Sequence, residues 1–131
     1  MKLDEIVKIL KAEVFTKEIY NGDLEFKYCF ASDLMSDALV LLKTAPIDFF
    51  DYGMLMTGLI TKQSIRTAEM LDYRLIIIVR GKKPIDNVFE AALDEGIIVI
   101  GTEYSMFSAS GRLFESGIKG ISEVKWARNT L

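Results

Sequence analysis

Residues 74–80 read RLIIIVR, and this stretch decides the fold class. Its five central residues are all apolar, and the last four of them are β-branched. A half-exposed strand alternates apolar and polar residues, whereas a central strand of a parallel sheet is buried on both faces and reads as a continuous apolar run. We therefore predict a central parallel strand at residues 74–80, with helices covering both faces of its sheet.

Similar strand and helix signals alternate on either side of this stretch. Short apolar runs predict further strands at residues 27–31, 53–58 and 97–101. Apolar periodicity, cap residues and breakers predict helices near 33–43, from an N-cap at Thr61, from Pro84 to Gly96, and from Thr102 or Ser105 to Gly117. This alternation is typical of βαβ units with right-handed crossovers. We expect one α/β domain with a mainly parallel sheet of about 4–6 strands and helices on both faces.

The ends of the chain carry weaker signals. Leu3, Ile6 and Leu10 fall on one stripe of a short N-terminal helix. Residues 12–26 predict one or two short strands, with a turn at residues 21–22. The tail at residues 119–131 either adds an edge strand or packs Trp126 on a partner, and the sequence leaves both alternatives open.

Composition limits the class of protein. The chain has 131 residues, half of them hydrophobic, which suits one domain with a full core. Its 16 basic and 19 acidic residues give a net charge of −3, which argues against a partner that is nucleic acid or an anionic membrane. One cysteine, no signal-peptide pattern and no apolar run long enough to span a bilayer predict a soluble, cytoplasmic protein.

The sequence lacks the residues that several catalytic and metal-binding chemistries require. The chain has no histidine, the commonest general base and metal ligand, and we predict neither a metal nor a cofactor. Cys29 lies in an apolar strand and is interpreted as a buried structural thiol. Gly53 and Gly58 have P-loop spacing, but Leu59 and Ile60 follow where Lys and Ser/Thr are needed. A phosphoacceptor receiver is excluded as well, because the strand at 53–58 carries Thr57 where an aspartate is required.

The loops after the parallel strands are the predicted binding site, since open α/β sheets bind ligands at the carboxyl ends of their strands. The candidate residues on these loops are Ser32, Asp33, Thr57, Gly58, Arg80, Gly81, Lys82, Lys83, Thr102, Tyr104 and Ser105. Arg80, Lys82 and Lys83 concentrate positive charge and would pair with an anion beside hydroxyls and helix N-termini. The alternative is a solvated basic loop that balances nearby acids.

An apolar part of a ligand would need a wall beside these loops. Tyr104, Met106 and Phe107, at the start of the last helix, could form that wall. Alternatively, Met106 belongs to a core stripe with Ala109, Ser110 and Leu113, and Gly111 permits close packing.

Five segments together resemble the DRTGG-domain family: ASDLMSDAL (31–39), LMTGL (55–59), IRTAEMLD (65–72), IIIVRGKKP (76–84) and YSMFSASGRLFESGI (104–118). The resemblance implies a DRTGG-like α/β domain over residues 1–118, with a fold like the N-terminal domain of HPr kinase/phosphorylase, and residues 119–131 as a tail that packs on the domain or on a partner. It also implies regulation rather than catalysis, because domains of this family accompany CBS pairs and phosphotransacetylases. The Asp-Arg-Thr-Gly-Gly string itself is not present, and LMTGL keeps only a Thr-Gly turn.

The sequence thus supports a non-catalytic regulatory domain that binds a nucleotide or another phosphorylated metabolite. The alternative is a protein-interaction module that forms a homodimer or docks on a partner enzyme, without a small ligand. Its motivation is a set of apolar residues without an assigned place in the core: Phe15, Ile19, Tyr20, Phe49, Phe50, Tyr52 and Trp126. An enzyme would have Asp33 and Glu103 as its acids on the loops.

Overall fold

The computed structural model describes residues 1–40, 45 and 48–124. The strands are β1 (Glu13–Val14), β2 (Tyr28–Ala31), β3 (Gly53–Thr57), β4 (Leu75–Ile78) and β5 (Ile98–Gly101). The helices are α1 (Leu3–Leu10), α2 (Met35–Val40), α3 (Asp48–Asp51), α4 (Lys62–Met70), α5 (Asp86–Asp94) and α6 (Met106–Glu115), with a 3-10 turn at Lys17–Ile19 and a helical turn at residues 121–124.

The described strands form one five-stranded sheet in the order β1-β5-β4-β3-β2. β2, β3, β4 and β5 are parallel to one another, and β1 adds an antiparallel edge to β5. The predicted α/β class, the mainly parallel sheet and the central position of residues 74–80 are confirmed. Thr57 is level with Ile78, and Ile78 is level with Gly101, so the strands end together at one edge of the sheet.

Two helical layers cover the sheet. β2 to β5 are adjacent in chain order, so crossovers of one hand place α2, α4 and α5 on the same face. α4 contacts both α2 and α5, while α6 packs on α1 over the opposite face. Alternate residues of β4 serve the two layers: Ile76 and Ile78 join the core under α4 and α5, and Leu75 and Ile77 join the core under α1 and α6. This is why residues 75–79 are apolar without alternation.

Cap residues fix several helix ends as predicted. Thr61 accepts a hydrogen bond from the Ser64 amide at 3.3 Å, and Ser64 reciprocates, which makes a capping box at the start of α4. Ser105 caps α6. Gly96 and Gly117 follow α5 and α6 with φ of 68° and 106°, a region that glycine enters at low cost.

Some local predictions are wrong. Pro84 does not begin α5, because the helix starts at Asp86 with Ile85 as its N-cap, and the Ile85 side chain is 64% exposed. The helix predicted near 33–43 is present as Met35–Val40, and its end stays a prediction because residues 41–43 lie outside the described residues.

The apolar residues of the alternative hypothesis are mostly packed. Phe49 is fully buried, and Phe15 and Phe50 are partly buried against the core under α4 and α5. Ile19 and Tyr20 pack against the core under α1 and α6, and Tyr52 is half-buried. They do not form the exposed patch that the sequence suggested, and Trp126 lies outside the described residues.

The weakly predicted segments are partly accounted for. One short strand, β1, forms within residues 12–26, and the turn near residue 22 is present. Lys119 forms a single parallel bridge with Tyr28 at the edge of β2. No helix in the described ranges is both long and apolar enough to cross a bilayer.

Candidate functional site

The carboxyl edge of the sheet brings together all four predicted loops. We call this surface the rim; it consists of residues 32–33, 57–58, 80–83 and 102–105. The common level of Thr57, Ile78 and Gly101 places three of these loops side by side, and Ser32 joins them because its amide donates to the Met56 carbonyl at 3.0 Å. The connection after β4 leads to α5 on one face, and the connection after β5 leads to α6 on the other. Such a switch between faces is where open α/β sheets bind ligands.

Asp33, on the loop after the edge strand β2, connects this loop to the neighbouring ones. Its Oδ1 accepts hydrogen bonds from the Gly58 amide at 2.6 Å and from the Thr57 hydroxyl at 3.3 Å. Thr57 is fully buried, and its Oγ1 also accepts from the Leu59 amide at 3.0 Å. The Thr-Gly turn after β3 is therefore tied to the loop after β2 through one carboxylate.

Arg80 faces the same carboxylate from the next loop. Its Nη2 lies 3.7 Å from Asp33 Oδ2, and both side chains are about half exposed. Arg80 has φ of 64°, a left-handed conformation that costs a non-glycine residue about 1–2 kcal/mol. In this conformation its amide donates to the Tyr104 carbonyl at 2.9 Å, while Gly81, with φ of 70°, donates to the Thr102 carbonyl at 2.9 Å.

Lys82 completes the cluster around Gly58. Its Nζ donates to the Gly58 carbonyl at 3.0 Å, while Lys83 is exposed. Both lysines also line a small cleft of about 120 Å³ together with Lys11, the left-handed residue that ends α1, and with the carboxylates of Glu13 and Glu103. That volume has room for about four water molecules, the scale of one phosphate group. The sequence did not identify Lys11 as a site residue, because its position indicated only the end of the N-terminal helix.

The remaining rim residues support the fold. The Thr102 hydroxyl is buried, donates to the Leu10 carbonyl at 2.7 Å and accepts from the Tyr104 amide at 3.3 Å. The Tyr104 ring lies 4.2 Å from the Arg112 guanidinium carbon, a cation–π contact. Ser105 caps α6, and Ser32 accepts from the Leu34 amide at 3.0 Å. These side chains hold the loops in place around the cations.

The charge of the rim is mixed. Three cations, Arg80, Lys82 and Lys83, share the surface with the carboxylates of Asp33 and Glu103, and Glu103 lies against Gly81. Both sequence interpretations therefore have a physical basis here, the anion site and the basic loop balanced by acids. Among residues 1–40, 45 and 48–124, no group of three or more acidic, cysteine or histidine side chains could hold a metal ion.

A larger apolar groove of about 510 Å³ runs between the edge of β2 and α6. It begins at the rim, because Ala31 and Met106, which precede Ser32 and follow Ser105, both line it. Phe107 is 88% exposed at its lip, and Met106 lines it as well, whereas Tyr104 packs against the core under α1 and α6 and is not among the lining residues. Ala109 and Leu113 of the alternative core stripe are buried. The sequence signal that could have identified this groove is the i, i+4, i+7 spacing of Phe107, Gly111 and Phe114, which places them on one side of α6.

Cys29 also lines the groove and keeps a partly exposed surface. Burial raises the pKa of its thiol to about 12, so the side chain is a neutral thiol at physiological pH. This agrees with a structural role and not with a nucleophile, which requires the thiolate.

Comparisons with known proteins bear on the fold. No protein-family model and no curated protein matches the chain. Among solved structures, it is similar to the CBS and DRTGG domains of the regulatory region of Clostridium perfringens pyrophosphatase, complexed with the activator diadenosine tetraphosphate. The identity is 22% and the TM-score 0.58, over 83% of this chain and 44% of that one. The chain therefore spans less than half of that structure, and the likeness establishes a shared fold, in agreement with the DRTGG-domain resemblance of the sequence.

Proposed function

We propose that the chain is a non-catalytic regulatory domain that binds a nucleotide or another phosphorylated metabolite at the rim. The observation that carries the proposal is the convergence of Arg80 and Lys82 on the Thr57–Gly58 turn. Arg80 holds a left-handed conformation there, and strained non-glycine residues cluster at functional sites. The pyrophosphatase region of the same fold is regulatory and was crystallised with a nucleotide activator, which supports the same class of function.

Affinity arithmetic indicates that the ligand extends beyond one phosphate. Charge-assisted hydrogen bonds contribute about 1.5–3 kcal/mol each, so two of them bind bare phosphate only at about millimolar concentration. The apolar groove that begins at Ala31 and Met106 offers a surface for a base or another apolar part. A nucleotide combines both chemistries.

The test is a thermal-shift and calorimetry screen at matched ionic strength. The panel holds ATP, GTP, cyclic dinucleotides, diadenosine tetraphosphate and acetyl phosphate, with sulfate as the inorganic control. We expect Arg80→Ala and Lys82→Ala each to weaken binding of the active compound roughly ten- to hundredfold. Arg66→Ala, an exposed arginine on α4, is the matched control and should bind as the wild type does. Unchanged affinity in both rim variants would remove the site.

The second candidate function is self-association as a homodimer through α6. Phe107 and Phe114 are 88% and 58% exposed, and Gly111 lies between them with nothing within 4 Å of an added Cβ. A helix-interior glycine costs about 0.5–1 kcal/mol relative to alanine, and no contact within the described residues requires it. A large–small–large stripe complements itself about a two-fold axis, as an isologous interface must.

Sedimentation at increasing concentration tests this second candidate. We expect Phe107→Glu to abolish a dimer that persists in Met70→Glu, which changes another exposed apolar residue, on the other helical layer. A wild-type protein that stays monomeric at high concentration would exclude the homodimer. A partner enzyme would then be the remaining form of the interaction hypothesis.

A further inference from the structure

The Asp33 carboxylate is bound as a ligand anion would be bound. It receives a backbone amide from Gly58, a hydroxyl from Thr57 and the guanidinium of Arg80. Backbone amides, hydroxyls and arginine are the donors with which proteins hold phosphate groups. The rim therefore contains an assembled anion site, and a side chain of the chain itself fills it.

We propose that the Asp33 carboxylate occupies the position that a phosphate group of the ligand takes, so that ligand binding displaces Asp33 from Gly58. This inference rests on the proposed function, because it concerns the regulation of the same site. It makes Asp33 an internal competitor of the ligand and the residue that determines which anions bind.

A phosphate group is expected to displace the Asp33 carboxylate from these donors. A phosphate monoester carries about −1.5 to −2 charges at neutral pH and three acceptor oxygens, against one charge and two oxygens for a carboxylate. The nearby Lys82 ammonium adds attraction for the larger charge. Asp33 is 53% exposed and returns to water at little cost, so the exchange favours phosphate while a simple carboxylate such as acetate gains nothing.

Displacement of Asp33 would change the position of the loop that leads into α2. Asp33 lies between β2 and α2, and its neighbour Leu34 is held by the Ser32 hydroxyl immediately before that helix. The side chains of Leu34 and Val40 on this segment are 57% and 62% exposed. Release of the Gly58 contact therefore frees the loop that positions an exposed apolar surface.

The experiment compares Asp33→Asn with Asp37→Asn, an exposed aspartate on α2 that provides the same change in net charge. Inorganic pyrophosphate is the probe, titrated by calorimetry, with acetate as the carboxylate control. We expect Asp33→Asn to bind pyrophosphate about tenfold more tightly than the wild type, equivalent to about 1.4 kcal/mol. The Asp37→Asn variant should bind as the wild type does.

A second measurement needs no substitution at Asp33. In the wild type, the amide resonance of Gly58 should shift during the pyrophosphate titration together with those of Leu34 and the first turn of α2. A Gly58 amide that does not move at saturating pyrophosphate overturns the proposal.

The outcomes distinguish a failure of the Asp33 proposal from a failure of the proposed function. If Arg80→Ala loses binding but Asp33→Asn binds equally or more weakly than the wild type, Asp33 is no competitor and only this inference fails. If folded wild type and folded Asp33→Asn both fail to bind pyrophosphate and every nucleotide of the panel, the proposed function fails as well.

Discussion

Gly58 shows how a single contact explains a residue identity. Its φ does not lie in the left-handed region, so the turn itself does not require glycine. A Cβ at this position would instead overlap the Arg80 guanidinium, with Nη2 as the nearest atom. A side chain at residue 58 would therefore require the Arg80 guanidinium to shift from its position beside Asp33. The Thr-Gly pair is thus part of the anion site and also a tight corner.

Tyr73 carries a buried hydroxyl group without a partner in the part of the chain that the structure describes. It is 2% exposed, and its hydroxyl has no hydrogen-bond partner among the described residues. An unpaired buried hydroxyl carries a desolvation penalty, so we expect Tyr73→Phe to raise the free energy of unfolding by about 1 kcal/mol. Urea denaturation measures the change. A loss of stability would show that the hydroxyl has a partner after all, while Tyr52→Phe, at a half-buried position, should have little effect.

At the scale of elements, the sequence predicted what depends on local pattern. The strand at residues 74–80, the cap at Thr61 and the glycine after α5 each follow from residues within one or two turns. The start of α5 did not, because Pro84 is compatible with the first turn of a helix and equally with the extended loop it occupies. Contacts between distant segments were also beyond local pattern: Thr16 accepts from the Val99 amide across 83 residues.

The C-terminal ends of α4 and α5 bring the carboxylates of Glu69 and Glu95 close enough to repel each other. Repulsion from Glu69 is the main cause that raises the pKa of Glu95, followed by burial and a hydrogen bond with Glu69. A raised carboxyl pKa means that the unfolded chain ionises first, so stability falls as pH rises from the unfolded value of 4.5 to the raised pKa, and the penalty is absent well below 4.5. Glu95→Gln should therefore raise Tm by about 2 °C at neutral pH and leave it unchanged in acid.

The control for this effect is Glu90→Gln, an exposed glutamate within α5. Scanning calorimetry at neutral pH and below pH 4.5 separates repulsion from helix propensity. An equal rise in both variants, or a rise for Glu95→Gln that persists in acid, would contradict the role of Glu69.

At the scale of the molecule, the sequence predicted which loops meet but not how their side chains pair. Parallel strands must end at one edge, so the rim follows from the strand assignments alone. The Asp33–Gly58 hydrogen bond depends on side-chain directions of loops 25 residues apart, and no periodicity encodes them. The groove beside α6 was predicted only in part for a related reason: the sequence placed Phe107 on an apolar wall, but which side of α6 faces the edge of β2 depends on how the helix packs.

The stability of the whole fold should fall in alkali. The pKa of the Cys29 thiol is raised by burial from 9.0 to about 12, and that of Tyr20 is raised from 10.0 to about 12 by burial and by its hydrogen bond to Asp4. Between these values the unfolded chain loses protons that the folded chain keeps, so the free energy of unfolding decreases as pH rises from 9.0 towards 12. Burial also raises the pKa of Tyr73 in the same direction.

Denaturant unfolding at pH 7 and at intervals above pH 9.0 measures this slope. Cys29→Ala should unfold with a shallower pH dependence than the wild type, because one of the three groups has been removed. Identical slopes would mean that the thiol titrates alike in both states.

The strand order has a consequence for how the chain folds. From β2 to β5, each new strand pairs with the one made just before it, so the parallel sheet can grow by short loop closures as the chain lengthens. β1 and the end of α1 can dock only after β5 has formed. Val14 pairs with Ile100 of β5, and the Leu10 carbonyl accepts a hydrogen bond from Thr102, 92 residues further along the chain. On the ribosome, α1 would therefore emerge before the sheet but dock after β5, and until then one apolar face of the growing sheet would lack its cover.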